Sequence, residues 1–450
     1  MSSREEGPVA GTTGRRLLAL LGGHQSKGRL PSVVAGVVRN GELVWSGGYG
    51  EVPGGAELTD VQYRIGSITK TFTAVLVLQL VRDWRLDLAQ PASDVLGDVG
   101  YADRSLRALL SHSSGMQAEP NGSWWERSDG VGWDELVAAH DGSGQVFPAG
   151  QQYHYSNLGF ALLGEVAARV HGTTWFDAVR EHVLDPLGLR RTTYLPDGAC
   201  AQGFSVDPYA GTTTPEPATD TRAMAPAGQL WSTVGDLASY NAFLGAGHPD
   251  VLELSWLELA AHPQSGDRND GLEYAYGLGF QLHRGGSGSL VGHTGSMPGF
   301  LAACLVDRAR GTGAVLLSNA TSGLGPGGLA QELVEELERC EPTLPQPWAP
   351  TTRVPGEVAG ALGVWHWGNT MFALSLRGDV LELGRGDDVW CRFEVRDGRI
   401  VGTTGYLAGE TLDVVRRDDG SVSHLVCATF VLTRTPYDPE VPIPGGVPAG

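Results

Sequence analysis

Apolar and polar positions follow two different rhythms along this chain. The run SVVAGVVRNGELVWSGGYG holds two β-rich stretches on either side of Asn40-Gly41, a dipeptide that favours the two-residue turn of a hairpin. The next run, YRIGSITKTFTAVLVLQLVRDW, is apolar on nearly every side over residues 72–81, which predicts a helix buried all round with Ser67 at its start. Residues 14–23 predict a shorter helix ahead of the hairpin. Between residues 85 and 260 the pattern is mostly helical and loop-rich. Helices are expected in SLRALLSH, over 157–170, in TWFDAVREHVL and in TVGDLASYNAFL, the last capped by Ser232 or Thr233.

From 273 to 319 the pattern returns to strands, in EYAYGLGFQLH, SLVGHTG, GFLAACLVD and GAVLLSN, and the helix GGLAQELVEELERC closes the region. The segment Gly285-Gly286-Ser287-Gly288 reads as a turn between two of these strands. Strands at both ends with helices between them predict an α+β domain over 1–340, whose early hairpin and late strands share one antiparallel sheet. Residues 341–356 hold five prolines and little periodicity, the mark of a linker. From 357 to 450 the chain breaks into short alternating segments separated by turns such as Arg377-Gly378-Asp379, Asp397-Gly398 and Asp419-Gly420. Seven or eight such strands predict a small β-barrel or sandwich.

A length of 450 residues fits two domains, and 41% hydrophobic with 18% charged residues fits a folded chain. The formal charge of −19 makes nucleic acid and anionic membrane poor partners. The start of the chain has two early acids and only the short apolar run LLALLGG, unlike a secretion signal, and no stretch reaches a transmembrane length. The five cysteines, Cys200, Cys304, Cys340, Cys391 and Cys427, are odd in number and form no CxxC pair. Together these features predict a soluble, cytoplasmic protein with free thiols. No ligand spacing for a metal appears, His366 and His424 included, and no Walker loop or dinucleotide fingerprint, so no cofactor is expected.

Lysine usage sharpens the chemistry. Of 32 basic residues only Lys27 and Lys70 are lysines. Lysine can release its proton when buried, whereas arginine cannot, so a lysine three residues after Ser67 points to a titratable amine beside a hydroxyl. On the first turn of a helix the two share a face, at the end where backbone N–H groups gather. A second cluster, Tyr155-Ser156-Asn157, offers a phenol that can act as base or acid. It also offers an amide that can donate to a substrate carbonyl and accept from Lys70. A third, Val291-Gly292-His293-Thr294-Gly295-Ser296, lies on an expected strand, where glycines let a substrate backbone approach and His293 can donate a hydrogen bond or carry charge.

The order Ser-x-x-Lys, Tyr-x-Asn, His-Thr-Gly resembles the serine β-lactamase and penicillin-binding-protein superfamily, in the branch of class C β-lactamases, DD-carboxypeptidases, esterases and D-aminopeptidases. Flanking runs LRALLSHSSGM, FPAGQQYHYSNLGFALLGEV, APAGQLWSTVGDLASY and GHTGSMPGF are similar too. The resemblance covers residues 30–340. It implies Ser67 as acylated nucleophile, Lys70 and Tyr155 sharing base and acid roles, Asn157 and His293 in the catalytic set, and Thr294, Gly295 and Ser296 against the substrate. The backbone N–H groups of Ser67 and Ser296 would form the oxyanion hole. His293 stands where many relatives carry lysine, which departs from a β-lactamase pattern.

Without an export signal, the resemblance narrows to penicillin-binding-protein-type thioesterases, which cyclise nonribosomal peptides and carry a lipocalin-like domain after the catalytic one. The tail FVLTRTPYDPEVPIPGG is similar to theirs. The implied activity is release and macrocyclisation of a peptide held on a carrier protein. An intracellular esterase or a D-aminopeptidase or DD-peptidase-like hydrolase is the alternative, and a catalytically silent binding protein the third reading. Whether Lys70 or Tyr155 is the base stays open at this level. Secondary candidates are His112, Trp124 and Trp125 near the site, Arg284 before the third motif, and Arg434 in the last barrel strand, which could bind a substrate carboxylate or phosphate.

Overall fold

A computed structural model describes residues 2–51, 57–267, 274–285, 288–345 and 347–436. The expected turn at Gly286 and Ser287, and the tail beyond residue 436, lie outside the described residues. The chain divides into two compact units, residues 1–343 and 344–450.

In the first unit the hairpin forms as expected. Strand β2 (Ser32–Arg39) pairs antiparallel with β3 (Glu42–Gly50), and Asn40 and Gly41 both adopt positive φ, 51° and 82°. An edge strand not anticipated, β1 (Ser2–Glu6), adds to β3. The late strands are β4 (Ser265–Gly266), β5 (Tyr274–Tyr276), β6 (Gln281–Arg284), β7 (Ser289–Met297), β8 (Phe300–Asp307) and β9 (Thr312–Ser318). The run expected as one strand over 273–283 is thus two, β5 and β6, paired with each other. All nine form one antiparallel sheet in the order β1-β3-β2-β9-β8-β7-β6-β5-β4, so the two ends of the sequence region meet at the β2–β9 pairing.

Both faces of this sheet are covered. Val33, Ala35 and Val37 pack with Leu17, Leu21, Leu329, Leu333 and Leu337 of helices α1 (Gly11–Gly28) and α5 (Pro326–Cys340). Val34, Val315 and Leu317 point the other way, into the cluster that holds helices α2 (Thr69–Arg82), α3 (Asn157–His171) and α4 (Val234–Ala246). Period-2 alternation in strands buried on both sides explains why β8 and β9 are apolar almost throughout. Every residue of α2 from Thr69 to Leu80 is buried, as its all-round apolar sequence demands. Helix α4 is capped by Thr233, whose side chain accepts from the Asp236 N–H. The expected helix TWFDAVREHVL is helical over Trp175–Val179 and then widens into a π turn over Arg180–Leu184.

The second unit is a nearly closed antiparallel barrel of eight strands, consistent with a lipocalin-like domain. They are Gly363–Trp367, Thr370–Arg377, Val380–Arg385, Asp388–Arg396, Arg399–Gly405, Leu412–Arg416, Val422–Cys427 and Phe430–Thr433. The first pairs with the last at His366 and Thr433, and the fifth and sixth meet only at the Val401–Thr411 bridge. Trp365, Phe372, Leu381, Phe393, Leu425 and Leu432 fill the core. Among the described residues no helix is long and apolar enough to cross a membrane.

Candidate active site

Ser67 lies on a tight turn, Gly66–Ile68, that runs straight into α2. Gly66 adopts φ +52°, and a Cβ there would lie 2.6 Å from the Ser296 backbone nitrogen. Across the same seam, a Cβ on Gly295 would lie 1.9 Å from the Ile65 carbonyl oxygen and 3.2 Å from the Ser67 nitrogen. Two glycines therefore let the main chain at Ser67 and at Ser296 run side by side, a closeness no side chain would allow.

One turn into α2, the Lys70 side chain is fully buried. Its Nζ donates to Ser67 Oγ at 2.9 Å and to the Ala227 carbonyl at 2.6 Å. Burial pulls the amine down from its ordinary value to about 7, against the opposing fields of Glu119 and Glu126. The amine is therefore divided between its free-base and charged forms near neutral pH, the condition a base needs.

Tyr155 stands half-buried over this pair. Its ring centroid is 5.0 Å from Lys70 Nζ, and its hydroxyl interacts with Ser67. Burial pushes the phenol well above its ordinary value, so it is protonated at neutral pH. Asn157 opens helix α3 behind the Ser156 cap, whose side chain accepts from the Gly159 N–H. The Asn157 amide departs from expectation: its Nδ2 donates to Glu119 Oε1 at 2.7 Å, and its buried Oδ1 has no hydrogen-bond partner among the described residues. The other Glu119 oxygen accepts from Trp125 Nε1 at 2.7 Å. Glu119 and Glu126, both within electrostatic reach of Lys70, are site residues that sequence reasoning missed; no motif marks them.

Strand β7 forms the opposite wall. Beyond Gly292 its partner β6 has ended, which leaves residues 293–297 open on that side. The Thr294 N–H and hydroxyl donate instead to Gln281 Oε1, at 2.8 and 3.1 Å. Gly295 is buried and Ser296 exposed, as strand alternation requires. His293 corrects an expectation. It is buried, and burial with the nearby Lys70 lowers its pKa to about 3, so it carries no charge into the site. Its Nδ1 faces the Thr294 carbonyl, which only accepts, so the proton sits on Nδ1 and Nε2 accepts from the Tyr276 hydroxyl at 2.9 Å. Tyr276, fully buried on β5, was not anticipated, since a tyrosine in a strand has no distinguishing pattern.

The remaining candidates separate. His112 is buried with its ring centroid 4.1 Å from that of Tyr155. Trp125 is buried near the seam, while Trp124 is largely exposed beneath the Arg127 guanidinium. Arg284 is exposed at the end of β6. Arg434, expected to hold a substrate anion, has both terminal nitrogens occupied within its own barrel. Nη1 donates to the Val364 carbonyl at 2.9 Å, and Nη2 to those of Gly360 and Leu362 at 2.6 and 3.2 Å. The guanidinium lies 3.7 Å from the Trp365 ring centroid. Among the described residues no group of three or more metal-ligating side chains forms, and none of the five cysteines is paired.

A helix-sheet-helix sandwich with a serine at the mouth of its buried helix, a lysine one turn on, and a strand edge facing both defines the serine β-lactamase-like class. The chain belongs to the Beta-lactamase family, whose match spans residues 16–338. Residues 354–434 match a domain of unknown function, DUF7586. Beta-lactamase-like protein 2 of Dictyostelium discoideum is 32% identical over 276 residues, 56% of this chain. This chain spans about half, 49%, of that relative's length. A D-stereospecific amidohydrolase from Streptomyces sp. is 28% identical, with a TM-score of 0.61 over 74% of this chain and 99% of that one. The structure of SurE covers 94% of this chain and 99% of its own, at 23% identity and a TM-score of 0.60, a likeness of fold.

Proposed function

We propose that this chain is a serine acyl-enzyme acting on peptide thioester, ester or amide carbonyls. The observation that carries the reading is the 2.9 Å contact between Lys70 Nζ and Ser67 Oγ, with the amine brought to about 7 by burial. In its neutral form Lys70 takes the proton as Ser67 Oγ bonds to the carbonyl carbon. Tyr155, protonated and beside Ser67, hands a proton to the leaving sulfur, nitrogen or oxygen and regains one from Lys70. The N–H groups of Ser67 and Ser296 face the developing oxyanion.

The finer reading is release and macrocyclisation of a nonribosomal peptide held by a carrier protein in the cytoplasm. The acyl-enzyme then loses its peptide to the peptide's own amine, whose proximity outcompetes water. The neutral His293 wall supports this reading. With no fixed cation at that position, the site suits a donor whose carboxyl is tied up in a thioester or ester rather than one ending in a free carboxylate. A second reading, hydrolysis of D-residue amides, is favoured by the 28% identity with the Streptomyces amidohydrolase.

The test offers the enzyme a peptidyl N-acetylcysteamine thioester and, separately, a D-phenylalanine amide, with intact-protein mass spectrometry and product analysis. A cyclic product with a peptidyl adduct on Ser67 supports cyclisation. Linear acid alone, or turnover of the amide alone, favours hydrolysis. An adduct that survives Ser67→Ala removes Ser67 as the nucleophile, and the absence of both adduct and product with either donor leaves a binding protein.

A further inference from the structure

Among the described residues, the segment that carries Tyr155 has no partner strand. Its backbone is held by the loop that follows the short helix Leu106–Leu110. At the centre of that loop His112 is fully buried and adopts φ +53°, a left-handed conformation uncommon outside glycine.

His112 grips both neighbours of Tyr155. Its carbonyl accepts the His154 N–H at 2.7 Å, and its Nδ1 accepts the Ser156 N–H at 3.1 Å. Its ring centroid is 4.1 Å from that of Tyr155 and 4.5 Å from that of Tyr276. A backbone held one residue before and one residue after a side chain has little freedom to turn that side chain. Because Nδ1 accepts, the proton sits on Nε2, which has no hydrogen-bond partner among the described residues. Burial and the nearby Lys70, His293 and His154 keep the ring neutral, which preserves the Nδ1 lone pair.

We propose that His112 is a positioning residue that holds the Tyr155 phenol against Ser67 through its Nδ1 acceptor, without itself touching substrate. This rests on the acyl-enzyme reading above. A backbone free to drift by about 1 Å at Tyr155 costs on the order of a hundredfold in a proton-transfer step.

The experiment measures the acylation burst in the full chain with a short peptide methyl ester, whose leaving methoxide needs the proton that Tyr155 supplies. His112→Phe keeps the ring and removes the acceptor. His112→Asn keeps an acceptor oxygen near the Nδ1 position and tolerates the left-handed backbone. The expected result is a loss of about tenfold or more in acylation kcat for His112→Phe, with KM nearly unchanged, and recovery to within about threefold for His112→Asn. In a Tyr155→Phe background, His112→Phe should add no further loss, since it acts through the phenol.

A His112→Phe burst equal to wild type, or a full additive loss in the Tyr155→Phe background, overturns the proposal. Should His112→Phe fail to fold, His112→Asn decides alone: a rate within about threefold of wild type supports the role, and a loss of tenfold or more sinks it. A wild-type chain that shows no Ser67-dependent burst removes the acyl-enzyme reading and the positioning role with it. A wild-type burst left unchanged in His112→Phe removes the positioning role only.

Discussion

The carbonyl oxygen of Ala227 lies 2.6 Å from Lys70 Nζ and points the amine toward Ser67. Ala227 belongs to a single helical turn, Ala225–Gly228, whose preceding carbonyl, that of Pro226, accepts from the Thr73 hydroxyl at 2.9 Å. The turn is thus fastened to α2 at two successive levels. Among the described residues this buried lysine donates to one carbonyl and one hydroxyl and to no carboxylate; its basicity falls because burial strips away water, and the fields of Glu119 and Glu126 offset that only in part.

Acylation of Ser67 is expected to rise with pH through about 7 and then level off, because only the unprotonated Lys70 can accept the serine proton. Burst rates with an activated ester between pH 5 and 9 check this. A flat profile would show that Lys70 is not the base, and a rate still climbing steeply at pH 9 would show that burial does not bring its amine to about 7.

The same burial has a stability consequence of defined sign. Lys70 binds its proton more weakly in the folded chain than in the unfolded one, so its burial costs the fold most at pH 7 and below. The cost fades as pH rises toward 10.5. Lys70→Met should abolish acylation yet raise stability at pH 7 by roughly 1–3 kcal/mol, after allowing for the orphaned Ala227 carbonyl. Thermal melts at pH 7 and pH 10 test it; a variant less stable than wild type at pH 7 contradicts the assignment.

Gly295→Ala should disable the site from the strand side. The added methyl would meet the Ile65 carbonyl oxygen at 1.9 Å, a backbone atom that cannot swing aside as a side chain can. We expect destabilisation of about 1–3 kcal/mol and at least roughly a hundredfold slower acylation as β7 withdraws from Ser67. Normal acylation by this variant would mean that the seam between Gly66 and Gly295 is looser than described.

Arg434→Ala should weaken the barrel. It releases three carbonyls and uncovers the Trp365 ring, a loss of about 1–3 kcal/mol. Chemical denaturation followed by tryptophan fluorescence reads this directly, and turnover of a small ester should stay unchanged. A barrel of unaltered stability, with weakened binding of a peptide thioester, would restore Arg434 as a ligand for substrate.

Much of this protein was legible along the chain, for local reasons. The all-round apolar run after Ser67 could only be a buried helix, and the Asn40-Gly41 pair could only turn a hairpin in one way. The Ser67–Lys70 contact follows from helical spacing alone, since residues three apart share a face. Scarcity of lysine was enough to single out Lys70, because a chain that uses arginine almost everywhere else keeps a titratable amine at this position.

Other features were settled by the approach of segments distant in sequence. The Asn157 amide turned to Glu119, His293 became a buried neutral acceptor for Tyr276, and Arg434 was taken up by the carbonyls of its own barrel. None of these partners has a fixed spacing from the residue it meets. Which atom a polar side chain addresses depends on what packing brings within about 3 Å. Its charge depends on how much water that packing removes. The types and order of the reactive groups were written in the sequence; their partners, tautomers and basicity arose only when the strand, the loop and the buried helix closed on one another.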